Sequence, residues 1–238
     1  MALSTRGSRA VAPPLPYFLA QSKVMGDLYD AALNPSGAIP MCVAESRGRF
    51  HPSLAARMAA AAADCVEPAT GQYANMLGRD RFRAAAAASL GRTVLRSRVA
   101  LDASQLVVSS GCGGALLQLS LLLLDAGDVV LLPTPTYPAL YNDFQTLGGA
   151  RVVDVPIAQD NYRLTAAALD AAHARAGPEA RVRVLVLLNP SNPLGIVHSA
   201  AEMRLARDWA RGRGMHLIVG ALAREGVRGR ACVCEGDE

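Results

Sequence analysis

The chain has 238 residues, 51% of them hydrophobic and only 5% aromatic, so it can bury a sizeable core built mainly from Ala, Leu and Val. Its 24 basic and 20 acidic residues leave a net charge of +4. The basic residues are scattered and no aromatics interleave with them, which argues against a nucleic-acid partner.

The five cysteines are odd in number and mostly far apart, so no disulfide framework is expected. Cys232 and Cys234 form a C-x-C pair without a matching His/Cys pair, and no metal site is expected either. The N-terminal stretch carries Arg6 and Arg9, then Pro13, Pro14 and Pro16, and shows no signal-peptide core. The longest apolar run, Ala115 to Leu124, contains Gln118 and Ser120 and is too short to cross a bilayer. Reduced thiols and a cytoplasmic, membrane-free protein are the expectation.

Residues 1–40 read as an extended, Pro-rich arm with a helical stretch near Leu19–Leu28 and a turn at Asn34-Pro35-Ser36-Gly37. Met41–Ala44 suggests a short strand, and Pro52–Val66 and Arg79–Leu90 suggest Ala-rich helices. From residue 105 the pattern alternates. Strand Leu106–Val108 leads through a Gly-rich loop into helix Ala115–Leu124, then to strand Val129–Leu132. A helix near Pro138–Leu147 and strand Arg151–Val155 follow. Thr165 is placed to cap helix Ala166–Arg175. Strand Val182–Leu188, amphipathic helix Ala200–Arg211 and strand Met215–Val219 complete the series.

Such alternation predicts an α/β fold: a parallel sheet covered by helices on both faces, with the loops after the strands gathered at one edge. Three of those loops carry chemistry. In Ser109-Ser110-Gly111-Cys112-Gly113-Gly114, glycines let backbone N–H groups approach an anion at a helix start. A dinucleotide fingerprint fits poorly, because the third glycine position holds Leu116 and no acid ends the next strand. A plain tight turn and a phosphate cup stay open. In Pro133-Thr134-Pro135-Thr136-Tyr137-Pro138 the prolines stiffen the backbone around Tyr137, either to stack on a flat heterocycle or to close the core edge. Asn189-Pro190-Ser191-Asn192-Pro193-Leu194-Gly195 is a stiff turn whose Asn side chain can donate to a ring oxygen.

Taken in order, these three loops resemble the large domain of the class I/II aminotransferases, fold-type I pyridoxal-phosphate (PLP) enzymes. The likeness is strongest to the 1-aminocyclopropane-1-carboxylate (ACC) synthase-like branch. Supporting stretches are residues 34–45, Asn161–Thr165 and Arg181–Val184, and the likeness runs from about residue 15 to Val219.

The resemblance implies a three-layer PLP-dependent transferase large domain with a mostly parallel sheet, incomplete at its C-terminus. It would comprise an arm (1–40), a partial PLP-binding domain (41–219) and a disordered tail outside the family pattern (220–238). It implies PLP as cofactor, with Gly111, Cys112 and Gly113 cupping the phosphate. Tyr137 would stack on the pyridine and Asn192 would bond the ring hydroxyl oxygen. Glu45, in Ala44-Glu45-Ser46 where the family reads A-E-N, would lie near the amine of an amino-acid substrate. A homodimer and either transamination or ACC synthase-like lyase chemistry are implied.

Three features depart from that pattern. Gly220 and Ala223 stand where the family has the Asp and Tyr of S-D-E-I-Y, the Asp being the partner of the pyridine nitrogen. Met76 replaces a Tyr that reaches a partner subunit's phosphate. Lys23, the only lysine of the chain, lies in the arm with no motif around it and reads as a surface charge, not the Schiff-base lysine. No catalytic residue is therefore assigned, and the isolated chain is expected to be inactive. The alternative is a non-catalytic pseudo-enzyme or truncated fragment serving as a binding or dimerisation scaffold.

Overall fold

The computed structural model describes residues 2–11, 16–41, 52–64, 71–95 and 99–221. Two compact units divide the chain: Pro13–Arg79, and Met1–Ala12 together with Asp80–Glu238.

In chain order the helices before the sheet are α1 (Thr5–Ala10), α2 (Pro16–Met25), α3 (Pro52–Asp64), α4 (Asp80–Ser89) and α5 (Gly111–Leu123). The smaller unit holds α2, α3 and the turn expected at Asn34–Gly37. That turn is tied by the Asn34 side-chain amide, which donates to Asp27 Oδ1 and to the Leu28 carbonyl, each at 2.9 Å. Lys23 sits exposed in the last turn of α2, as its surface reading requires. Of the strand expected at Met41–Ala44, only Met41 lies within the described residues.

The larger unit carries the alternation. Its strands are β1 (Val129–Thr134), β2 (Arg151–Pro156), β3 (Val182–Leu188) and β4 (His216–Gly220). Between them lie α6 (Ala139–Tyr141), α7 (Ala166–Ala176) and α8 (Ala200–Arg211). The four strands form one parallel sheet in the order β2-β1-β3-β4. β1 pairs with β2 in unbroken register from Val129–Arg151 to Thr134–Pro156, and β3 pairs with β4 from Val184–His216 to Leu188–Gly220.

Strand alternation divides the core in two. Val129 and Leu131 of β1, with Leu185 and Leu187 of β3, face α7 and α8 and pack with Leu169, Ala172, Met203, Ala206 and Trp209. Val130 and Leu132, with Val184 and Val186, face the other way onto Leu116 of α5, Leu140 and Phe144. Helices therefore cover both faces, which gives the three-layer α/β architecture the sequence pattern implied. Short polar clamps hold the layers in register. Arg181 Nε meets Asp128 Oδ1 at 2.8 Å, at the start of the β1–β3 pair. Between α7 and α8, Asp170 accepts from both Trp209 Nε1 (2.8 Å) and Arg213 (2.7 Å), while the Arg213 guanidinium stacks 4.2 Å from the Trp209 ring centre.

Three expected elements come out differently. Leu106–Val108 is not a strand: Leu106 is extended, but no strand pairs with the segment among the described residues, and Val107 and Val108 stay exposed. Strand propensity without a neighbouring ladder leaves only extended chain. The helix near Pro138–Leu147 is one α-turn, α6, running on into a π-helix over Asn142–Leu147 that buries Phe144 completely. Finally, the Gly-rich segment is only in part a loop, because α5 begins at Gly111 itself.

Candidate functional site

The chain leaves β1 toward β2 on one side and leaves β3 toward β4 on the other. Neighbouring parallel strands whose connections diverge open a crevice beyond their C-terminal ends, where ligands of open α/β sheets bind. The loops after β1 and β3 border that crevice, because β1 and β3 are adjacent and parallel. Helix α5 reaches the N-terminal end of β1 through the short turn 124–128 and packs along the sheet. It must therefore run antiparallel to β1, which puts its N-terminus at the same edge.

Gly111 opens α5 at φ +70°, a left-handed conformation that side chains disfavour. Its N–H is turned back to the Ser109 carbonyl at 2.9 Å. The N–H groups of the next residues, Cys112 to Gly114, lie in the first turn, where a helix supplies no acceptor of its own. Ser110, at the capping position, makes no side-chain hydrogen bond to them. A Cβ added at Gly111 or Gly113 would meet nothing within 4 Å, so both glycines border open space, whereas at Gly114 it would lie 3.0 Å from Ser109 Oγ. Cys112 is a free, exposed thiol. Donors, helix dipole and room together suit an anion.

Tyr137 follows β1, with Pro138 leading directly into α6, and it is 47% exposed. Asn192 is half-buried in the loop after β3, between Ser191 and Pro193. The loop is braced internally: the Ser191 N–H donates to the Ile196 carbonyl and the Gly195 N–H to the Ser191 carbonyl, both at 2.8 Å.

Behind this loop lies a buried polar cluster that the sequence reading did not single out. Asn189 and His198 are buried at the loop's two ends, and the Asn189 side-chain oxygen accepts the His198 N–H at 3.0 Å. Glu202 of α8 accepts from the Ser199 N–H (2.8 Å) and hydroxyl (2.7 Å), from the Leu164 N–H (3.0 Å) and from Arg163 (3.2 Å). A sequence signal for it existed. Ser199-x-x-Glu202 has capping-box spacing, and the full capping box forms.

Burial pushes the Glu202 carboxyl upward, but the Ser199 N–H and hydroxyl, the Leu164 N–H and the nearby His198 outweigh it and bring the pKa from 4.5 down to about 2. A lowered folded-state value means that this stabilisation is complete above the ordinary 4.5 and drains away as pH falls toward 2. Glu202→Gln is accordingly expected to cost about 2 kcal/mol near neutral pH, the scale of hydrogen bonds to a charged acceptor. The gap from wild type should close in denaturant melts run at successively lower pH. A gap independent of pH would show that the carboxylate charge is not what matters.

The family model for aminotransferase class I and II matches residues 39–231. The chain belongs to this family of fold-type I PLP-dependent enzymes. This class I/II aminotransferase-family chain is 32% identical over 216 residues to 1-aminocyclopropane-1-carboxylate synthase 1 of Oryza sativa subsp. indica, covering 85% of this chain and 44% of the relative. It is 31% identical over 201 residues to 1-aminocyclopropane-1-carboxylate synthase-like protein 1 of Bos taurus, covering 81% and 40%. The chain thus spans less than half the length of these relatives. Among solved structures, an aminotransferase from Mycobacterium tuberculosis aligns at TM-score 0.65 and 26% identity, over 92% of this chain and 53% of the other. A Thermus thermophilus aspartate aminotransferase mutant aligns at TM-score 0.67 and 21% identity over the same shares, a likeness of fold. The family match runs to residue 231, so the likeness does not stop at Val219 as the motifs alone suggested.

Against the family's cofactor, the two ends of the crevice behave differently. The phosphate end fits, since the first turn of α5 offers donors and open space beside Gly111 and Gly113. The ring-nitrogen end does not. Gly220, at the tip of β4, has no side chain to offer, and a Cβ there would lie 2.7 Å from Leu188 Cδ2. Met76, where a Tyr was expected, is exposed in the smaller unit. Glu45, Ala223, Cys232 and Cys234 lie outside the described residues. No cluster of His, Cys, Asp and Glu suited to a metal ion occurs among the described residues. None of the described helices is long and apolar enough to cross a membrane.

Proposed function

We propose that this chain provides the phosphate- and ring-holding edge of a PLP site in an aminotransferase of class I/II acting on amino acids. The observation that carries this reading is the start of α5: a left-handed glycine opening a helix, with open space beside Gly111 and Gly113 in its first turn, at the switch point of a parallel sheet in this family. In it, Gly111, Cys112 and Gly113 bind the phosphate through backbone N–H groups, and Tyr137 presents its ring to the pyridine face. Asn192 donates to the ring hydroxyl oxygen, and Glu45 stands near the substrate amine. PLP, when bound, supplies the electron sink for chemistry at the amino-acid α-carbon. Either transamination or an ACC synthase-like elimination is compatible with this edge. The relatives' names favour the second. A cytoplasmic homodimer is the assembly this reading carries.

The second reading is a non-catalytic binding or dimerisation scaffold, and Gly220 favours it. Lys23, the only lysine in these 238 residues, is exposed on α2, whereas a nucleophilic amine needs to be desolvated or placed beside another cation. The chain by itself is therefore expected to bind PLP reversibly in equilibrium dialysis. It should give no stoichiometric borohydride-trapped adduct and no transamination. Trapping at one equivalent would overturn the inactive reading, and failure to retain PLP in dialysis would remove the cofactor site and leave the scaffold.

A further inference from the structure

The loop that carries Asn192 is closed at its base by a single buried amide. Asn189 is 7% exposed. Its backbone N–H donates to the Gly220 carbonyl at 2.9 Å, tying the end of β3 to the end of β4. Its side-chain oxygen accepts the His198 N–H at 3.0 Å, drawing the far end of the loop back to its start. His198 is 4% exposed, and its ring Nδ1 stands 3.5 Å from Glu202 Oε1. Glu202 in turn holds the Leu164 N–H ahead of α7. Asn192 lies at the top of this closed loop, inside the Ser191–Ile196 hydrogen bond.

A buried amide is costly unless its hydrogen bonds are made, and a network that is fully made is rigid. A surface turn between β3 and α8 would need neither. Water would satisfy the His198 N–H, and the Pro residues at 190 and 193 already stiffen the chain. The buried Asn189 side chain gains one thing that a solvated turn lacks: it ties the far end of the loop, which leads into α8, to the end of β3, whose backbone is already bonded to β4.

We propose that Asn189 is a positioning residue for the ring-binding side chain of Asn192, closing the 189–198 loop so that Asn192 is held at the crevice edge. This inference rests on the cofactor reading given above. It separates the two ends of the ligand, because Asn189 would govern the ring contact while the phosphate contact belongs to α5.

The test is the affinity of the full chain for PLP and for inorganic phosphate, each measured by equilibrium dialysis. Asn189→Ala is expected to weaken PLP binding roughly tenfold and to leave inorganic phosphate within about twofold, the scale of coupling between residues that share a network. In an Asn192→Ala background, Asn189→Ala should add little further loss, since its effect passes through Asn192. PLP affinity unchanged in Asn189→Ala would overturn the proposal. So would a parallel fall in phosphate affinity, or a loss that persists undiminished in the Asn192→Ala background. If the wild-type chain binds phosphate but not PLP, the cofactor reading itself fails, and this inference with it.

Discussion

Leu131→Ala should destabilise the larger unit by about 3–5 kcal/mol, the range for a fully buried leucine whose cavity cannot collapse. Leu131 is 0% exposed on β1, and β1 is hydrogen-bonded on both sides, to β2 and to β3. Its side chain faces α7 and α8 and belongs to the same cluster as Leu169, Leu185 and Met203. A strand locked by two ladders has little freedom to move into a void, so the packing lost is not recovered. Leu122→Ala is the matched control. It deletes the same atoms from a side chain that is 79% exposed, and is expected to change stability by less than about 0.5 kcal/mol. Urea unfolding of both variants measures the contrast. Equal costs at the two sites would mean that β1 is not the centre of the sheet.

Gly113→Asp should abolish phosphate binding while leaving the fold intact. An aspartate in the first turn of a helix is electrostatically favourable, so α5 is not expected to lose stability. A Cβ at Gly113 meets nothing within 4 Å, and no packing is disturbed. The new carboxylate would instead occupy the space before the helix N-terminus and repel a phosphate there. Like charges about 4 Å apart near a protein surface oppose each other by roughly 4 kcal/mol, so the affinity should fall at least about a hundredfold. Gly113→Ala adds only bulk and should lose far less. The readout is dialysis with inorganic phosphate and with PLP, next to a denaturant melt. Retained phosphate affinity in Gly113→Asp with an unchanged melt would locate the anion site elsewhere.

The parts of the fold that could be read from the residues are those whose pattern is local. Val182–Leu188 is a strand over the range read from its apolar run, because a strand buried on both faces needs no alternation. Ala200–Arg211 is a helix over its full predicted range, since Met203, Leu205 and Trp209 give it a strong apolar stripe. Thr165 caps α7 by accepting the Ala168 N–H, as its position suggested. Where pairing with distant chain decides the outcome, local pattern failed. Leu106–Val108 has strand composition, yet whether it forms a ladder depends on a neighbour that its own residues do not specify.

The candidate site divides along the same line. Residue types and spacing marked the turns around Gly111, Gly113, Tyr137 and Asn192, because turns of Gly, Pro and Asn declare themselves chemically, while the roles proposed for them came only with the family resemblance. The sequence alone also determined that Gly220 stands where a carboxylate was expected and that Lys23 is the sole lysine. Only the tertiary structure decided that the Gly-rich segment begins a helix at a left-handed glycine, and that Tyr137 is open to solvent. It alone revealed Asn189, His198 and Glu202 as one buried cluster behind the Asn192 loop. The physical reason is range. A turn or a cap is written in four or five neighbouring residues, whereas the Glu202 contact to the Leu164 N–H joins residues 38 positions apart and exists only once β3 lies beside β1.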